Sequence, residues 1–497
     1  MRKVLVLCLS AVLLAACGTP VVNPVTGRTE RTVMDERAEL AEGRKAHEGV
    51  LKEYGAYAHP ALQAYVNEVG QRLAAQSHRA GLSWTFTVLD SPEINAFALP
   101  GGYVYITRGI LAHMDNEAEM AGVLGHEIGH VTARHGAQRA TRQQHAGLGV
   151  LAATLLAAVL ENAAGVQGST EFIGQAAQGV AAGYVAGYSR EQELEADALG
   201  AEYLARTRYD PRRMIDVIRV LQRQETFQAD EARAAGLPAP SASHWLSTHP
   251  GNDQRLRAIE QKALAYESSD RGGGDEGRRR FLKALEGLRY GDGPEQGLVR
   301  GQDFYHVPLG FALTAPPGWR LVNGSDALNI VSPQGDAALR LVGVPRDAGT
   351  THDEMLRKLF NPQNGKTTRG QINGLAATHF SGTARLPNGQ SQGVDVTLVS
   401  GPKNATYALL YLAASADALQ RQAAGMMAAE KSFRALSAAD RQQARPWQIR
   451  TVALPAGGFA ELARRAAVSR ERLQLINGTY GQADPPAGRL VKTVVVE

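Results

Sequence analysis

Residues 126 to 130 read His-Glu-Ile-Gly-His, and no other stretch constrains the chain so tightly. The two histidines can close on one metal ion only where the backbone between them is helical. Residues four apart then share a face, and Glu127 stands beside the pair. The stretch from Glu117 to Arg139 reads as one such helix. Asp115 or Asn116 caps it, and Glu117 and Glu119 sit in its first turn, where carboxylates favour the helix dipole. Two solvent-facing histidines on a surface helix would give the same letters. The sharper reading is the ligand geometry of a hydrolytic zinc site.

A site with two histidines needs a third protein ligand, commonly a glutamate from a following helix. The acidic segment Tyr188 to Gly200 offers two candidate pairs. Glu193 and Asp197 lie four apart and share a face, but so do Glu191 and Glu195. Periodicity does not choose between them.

With 497 residues the chain is too long for one core, so two or three domains are expected. Hydrophobic content of 44% and charged content of 21% are those of ordinary globular protein. The start sets the compartment. Arg2 and Lys3, an apolar run and Leu14-Ala15-Ala16-Cys17 form an export signal rather than a membrane span. Without those two basic residues the net charge falls from +4 to near +2, and nothing suggests a nucleic-acid partner. Cys8 leaves with the leader, so the mature chain holds one cysteine and no internal disulfide is possible.

Residues 1–16 are therefore read as a leader and 17–34 as a Gly- and Pro-rich tether. A mainly helical domain follows over 35–267. It opens with a charged helix from Asp35 to about Tyr54 and an amphipathic helix carrying Leu62, Tyr65, Val66, Val69 and Leu73. Trp84 to Leu89 alternates like a half-buried strand. Asn95 to Gly109 reads as strand, Pro-Gly-Gly turn and strand, well placed to offer a free edge to an extended peptide; an ordinary structural hairpin would look the same. Ala146 to Ala186 is rich in Ala and Gly and reads either as a buried helix or as a lid or membrane-touching hairpin over the cleft. Residues 268–300 form a linker and short helix. Residues 301–440 have the texture of an α+β domain without a catalytic constellation, and His306, His352 and His379 are isolated there. Residues 446–497 read as strand, helix, helix, strand. The fold class is thus α+β throughout, with the helical domain first.

Leu14 to Cys17 resembles the bacterial lipobox, which implies cleavage before Cys17 and lipidation of its thiol. Gly18 in place of aspartate favours an outer-membrane lipoprotein facing the periplasm. Four further markers, in order, resemble the HtpX-like and BepA-like zinc metallopeptidases, a family that includes the CAAX prenyl endopeptidases. They are Asn95-Ala96-Phe97-Ala-Leu-Pro-Gly-Gly102, Gly125 to His135, Ser189-Arg190 with Glu193-Leu-Glu-Ala-Asp197, and Thr248-His249-Pro250 followed by Arg255. The resemblance covers about Glu36 to Ala265.

It implies a zincin-type, gluzincin-class endopeptidase with one zinc ion per chain, held by His126, His130 and Glu193. Asp197 is then the carboxylate behind a ligating histidine, Glu127 the general base, and Glu191 and Glu195 solvated charges. Asn95, Ala96 and Phe97 fall at the substrate edge. His249 and Arg255 are implied to line the site, binding the substrate carbonyl and its oxyanion, or with His249 latching the open zinc position; sequence alone makes His249 a turn residue. His135, nine residues from His126, should face away from the metal. Residues 446–497 are similar to LysM modules, through Glu471 to Gly478, which makes peptidoglycan a candidate partner. The middle domain faintly resembles PsbP-like folds. The implied substrates are unfolded or misassembled envelope proteins, with the membrane held through Cys17. The competing function is an envelope chaperone or scaffold with a latched protease site.

Overall fold

The structure, a computed structural model, describes residues 18–144, 187–234, 249, 253–266, 274–324, 327–385 and 391–497. The leader and the Ala146–Ala186 segment therefore lie outside the described residues. Two compact units result: Met1–Glu225 with Ala242–Leu288 and Ile449–Thr493, and Thr226–Ser241 with Arg289–Gln448 and Val494–Glu497. Among the described residues no helix is long and apolar enough to cross a membrane.

In the first unit, helix Glu36–Tyr54 starts at Asp35, whose carboxylate accepts from the Ala38 amide at 2.7 Å. Helix Pro60–Ala74 begins with its proline, where a missing N–H costs nothing, and buries Leu62, Val66, Val69 and Leu73. Between the helices and the metal motif lies a three-stranded sheet. Thr85–Leu89 runs parallel to the central strand Tyr103–Thr107, and Ala96–Leu99 pairs antiparallel with it at the sheet edge.

The motif helix spans Glu117–Thr132 and is buried along its whole length. Asn116 caps it, accepting from the Glu119 amide at 3.0 Å, while the Glu119 carboxylate returns to the Asp115 amide at 2.7 Å. A helix buried on every side must pair each of its charges. Glu117 does so with the Tyr65 and Tyr209 hydroxyls at 2.6 Å and with Arg280.

This helix does not continue to Arg139 as the sequence suggests. Ala133 ends it and Arg134 adopts a left-handed φ of 59°, after which helical residues resume at 135–144. The left-handed residue costs about 1 kcal/mol. Its guanidinium offsets that cost through Glu39 at 3.1 Å and the Met34 carbonyl at 2.8 Å.

The ligand helix, Arg190–Arg206, starts from a capping box between Ser189 and Gln192. It packs against the motif helix through small residues. A Cβ on Gly129 would stand 2.8 Å from the Ala196 carbonyl oxygen, and one on Gly200 would stand 3.1 Å from the His126 amide nitrogen. That closeness puts Glu193 within reach of both motif histidines.

The second unit is built on a seven-stranded antiparallel sheet, in the order Arg320–Asn323, Leu328–Val331, Ala337–Gly343, Thr406–Ala413, Ser391–Ser400, Leu375–Arg385 and Pro362–Ile372. Helix Ala416–Lys431 packs on it through Met426 and Ala429, over a core that includes Phe311, Leu339, Leu409 and Phe433. Mixed helix and strand content is therefore observed. Residues Ile449–Thr493, read from sequence as a module of their own, belong to the first unit. They carry helices Gly458–Ala463 and Arg470–Ile476 between strands Trp447–Ala453 and Leu490–Val496.

Candidate active site

One helical turn apart, His126 and His130 bring their Nε2 atoms to 3.0 Å. The ligand helix delivers Glu193, whose Oε1 lies 3.4 Å from His130 Nε2 and whose Oε2 lies 3.6 Å from His126 Nε2. His249 joins them, with Nδ1 at 2.9 Å from Glu193 Oε1 and 3.3 Å from His126 Nε2. Potential ligand atoms of all four residues lie within 4.8 Å of one another, and each residue is at most 2% exposed. Glu127 stands beside the group, with Oε1 at 3.7 Å from His249 Nε2.

The donor set fits a zinc ion. Imidazole nitrogens 3.0 Å apart in a buried site present lone pairs to one another, and a single proton cannot satisfy three of them and a carboxylate. A borderline-soft cation with a preference for N and O donors in tetrahedral array can.

A further set of side chains holds the donors. Asp197 Oδ1 lies 2.9 Å from His126 Nδ1, leaving Nε2 to the metal side. Arg255 grips Asp197 through two hydrogen bonds of 2.7 and 2.8 Å, reaches Glu193 Oε2 at 2.9 Å and donates to the His249 carbonyl at 3.2 Å. The structure thus places Arg255 behind the ligands, where it orients Glu193, Asp197 and the His249 backbone.

His135 stands behind His130, on the side of the ring opposite the metal-facing Nε2, and is not one of the clustered donors. Its Nδ1 lies 2.8 Å from His130 Nδ1 and its Nε2 lies 3.1 Å from Glu195 Oε2. The break at Arg134 shifts the phase of everything after it and brings His135 against the far nitrogen of the His130 ring. Glu195, in turn, is a partner of His135 rather than only a solvated charge; Glu191 is exposed.

Electrostatics follow from this packing. Burial works to raise the Glu193 carboxyl, but His249, His130 and His126 outweigh it and hold the group well below the usual value. Burial also works to raise Asp197, and Arg255 overrides it. His130 is held well below the ordinary imidazole value, chiefly by burial, and so stays neutral as a ligand must. His249 shifts the other way: burial lowers it, but Glu193 and Glu127 together raise it further.

Beside His130 opens a cavity of about 210 Å³, lined by Ala98, Leu99, Pro100, Arg134, Arg139 and Tyr188 among others. The edge strand therefore borders it, through residues just after the predicted Asn95, Ala96 and Phe97. Those three are buried, and the Phe97 side chain lies in the core with Val50, Leu89 and Tyr105. Tyr188, which the sequence did not single out, stacks on His130 with ring centroids 3.9 Å apart.

The model of peptidase family M48 matches residues 60–263, a range that holds every residue of this cluster. The chain is 33% identical over 208 residues to the beta-barrel assembly-enhancing protease of Yersinia pestis, covering 41% of this chain and 39% of that one. Against the protein of that name from Escherichia coli K12 the figures are 31% over 220 residues, and 42% of each chain. A mitochondrial metalloendopeptidase of Arabidopsis thaliana is 31% identical over 195 residues, 39% of this chain and 35% of that one. The chain covers between 35% and 42% of the length of these three curated relatives. A solved structure of cyanobacterial PsbP from Synechocystis sp. PCC 6803 aligns at 14% identity with a TM-score of 0.21, over 29% of this chain and all of that one. At that score the likeness carries no argument.

Proposed function

We propose that this chain, whose residues 60–263 are a zinc-dependent metallopeptidase domain of family M48, is an endopeptidase of the bacterial cell envelope acting on misfolded or unassembled proteins. The observation that carries the reading is the buried His126, His130, Glu193 and His249 cluster with Glu127 beside it. The envelope assignment rests on the relatives' names and on the export leader. Anchoring through a lipidated Cys17 at the periplasmic face of the outer membrane belongs to the same proposal. So does a LysM-like engagement of peptidoglycan by residues 446–497.

A zinc ion held by His126, His130 and Glu193 supplies a Lewis acid for the scissile carbonyl and acidifies water. The rest of the chemistry belongs to the side chains. Glu127 accepts the proton of the attacking water on its carboxylate and passes it to the leaving amine nitrogen. Asp197 fixes the His126 tautomer, and Arg255 keeps Glu193 and Asp197 ionised and oriented. The sheet-edge strand Ala96–Leu99, whose Ala98 and Leu99 border the cavity, accepts an extended substrate by main-chain hydrogen bonds, which suits substrates that have lost their fold. His249, as a fourth donor, closes the site until it swings aside.

That closed arrangement favours a second reading, an envelope chaperone or scaffold in which peptide hydrolysis is dispensable. A deletion strain complemented with the Glu127→Gln chain separates the two. The endopeptidase reading expects no rescue of envelope defects, and rescue equal to wild type would replace it with the scaffold.

A further inference from the structure

Tyr188 directly precedes Ser189, the cap of the ligand helix. Its ring lies over that of His130 with centroids 3.9 Å apart and planes 19° apart, and its centroid is 5.6 Å from that of His249. It also forms part of the wall of the 210 Å³ cavity, together with Ala98, Leu99 and Pro100 at the sheet edge. One residue thus touches a metal-side histidine and the groove where a strand-like substrate would run.

The other candidates for steadying charge on a substrate oxygen are already engaged. Arg255 is spent on Asp197, Glu193 and the His249 carbonyl. His249 is bonded to Glu193 and His126. Among the described residues no hydrogen bond engages the Tyr188 hydroxyl, and the charges that act on it are Glu127, Arg139 and Glu193. A tyrosine hydroxyl carries one O–H donor that can turn toward a substrate oxygen.

We propose that Tyr188 is a catalytic residue whose hydroxyl donates a hydrogen bond to the scissile carbonyl oxygen as that oxygen gains negative charge. The proposal rests on the endopeptidase reading. No covalent bond to Tyr188 forms or breaks, and its proton stays on the phenol. The proton that moves from water to the leaving amine travels through Glu127. The bond gains strength only as charge develops, so it acts on turnover and not on ground-state binding.

The test compares full-length wild type, Tyr188→Phe and Tyr188→Ala. Each is measured for zinc content, for kcat and KM on a fluorescent casein substrate, and for affinity toward phosphoramidon, whose tetrahedral phosphoramidate stands in for the charged intermediate. Tyr188→Phe keeps the ring on His130 and removes only the donor. The expected result is one zinc per chain, KM within about twofold, and kcat and phosphoramidon affinity both down by about 10²-fold. Unchanged kcat and phosphoramidon affinity in Tyr188→Phe overturn the proposal, and loss of zinc or activity confined to Tyr188→Ala would then make the ring a packing cover for His130. Zinc loss in Tyr188→Phe overturns it also, because the hydroxyl would then serve the metal site. A zinc-loaded wild type that leaves casein intact overturns the endopeptidase reading and this role together, an outcome distinct from the other two.

Discussion

Asp197 shows how much of the site depends on side chains that never touch the metal. It holds His126 Nδ1 at 2.9 Å and both forks of Arg255, and it is 2% exposed. Replacing it with alanine leaves a ligand imidazole without its orienting acceptor and a buried guanidinium short of its carboxylate. Zinc affinity, measured by competition with a chelator of known affinity, is expected to fall about 10- to 100-fold. An affinity equal to wild type would show that packing alone orients His126. The sequence made His126, Glu127 and His130 legible because four-residue spacing is a local property of one helix. It left Glu193 tied with Glu191 and Glu195, since both pairs repeat at the same interval, and the family pattern was needed to choose. The contact of His135 with the far side of His130 is not legible, because a left-handed Arg134 leaves no mark in composition. Tyr188 was not singled out because its contact with His130 joins elements distant in sequence.

At the scale of elements, the motif helix is fixed at its start by residues from far along the chain. Arg278 pairs with Asp115 through two 2.8 Å hydrogen bonds, and Arg280 pairs with Glu117. Lys492, fully buried on the last strand, donates to the carbonyls of Ala112 at 3.0 Å and of Met114. Burial lowers its ammonium to about 8. The short helix Arg108–His113 just before the motif helix ends in a buried imidazole whose Nδ1 lies 2.8 Å from the Gly109 carbonyl. Burial pushes His113 down from 6.5 to about 4. The unfolded chain therefore binds a proton that the native chain refuses between those values. Stability is fully present above about pH 6.5 and is lost as pH falls toward 4. Between pH 7 and pH 5 this one group costs on the order of 2 kcal/mol. Urea midpoints at the two values should differ accordingly, and His113→Gln should shrink the difference. An undiminished difference in that variant would assign the acid sensitivity elsewhere.

For the whole molecule, the metal motif, the α+β character and the strand-rich texture of residues 301–440 follow from patterns that local sequence carries, while the peptidase family rests on resemblance over residues 60–263. Ala337–Gly343 alternates buried and partly buried residues, with Leu339 and Leu341 turned inward and Arg340 between them turned out. The grouping of Ile449–Thr493 with the peptidase unit was not legible, because it rests on long-range contacts such as that of Lys492 with Ala112. The central claim is that a zinc ion at the histidine cluster and the Glu127 carboxylate together hydrolyse unfolded polypeptide. Zinc content and casein cleavage measured side by side on wild type and Glu127→Gln test it most directly. The account predicts one zinc per chain in both proteins, cleavage by wild type, and a variant that holds its zinc but leaves casein intact. A zinc-loaded Glu127→Gln chain that cleaves casein at the wild-type rate would contradict it.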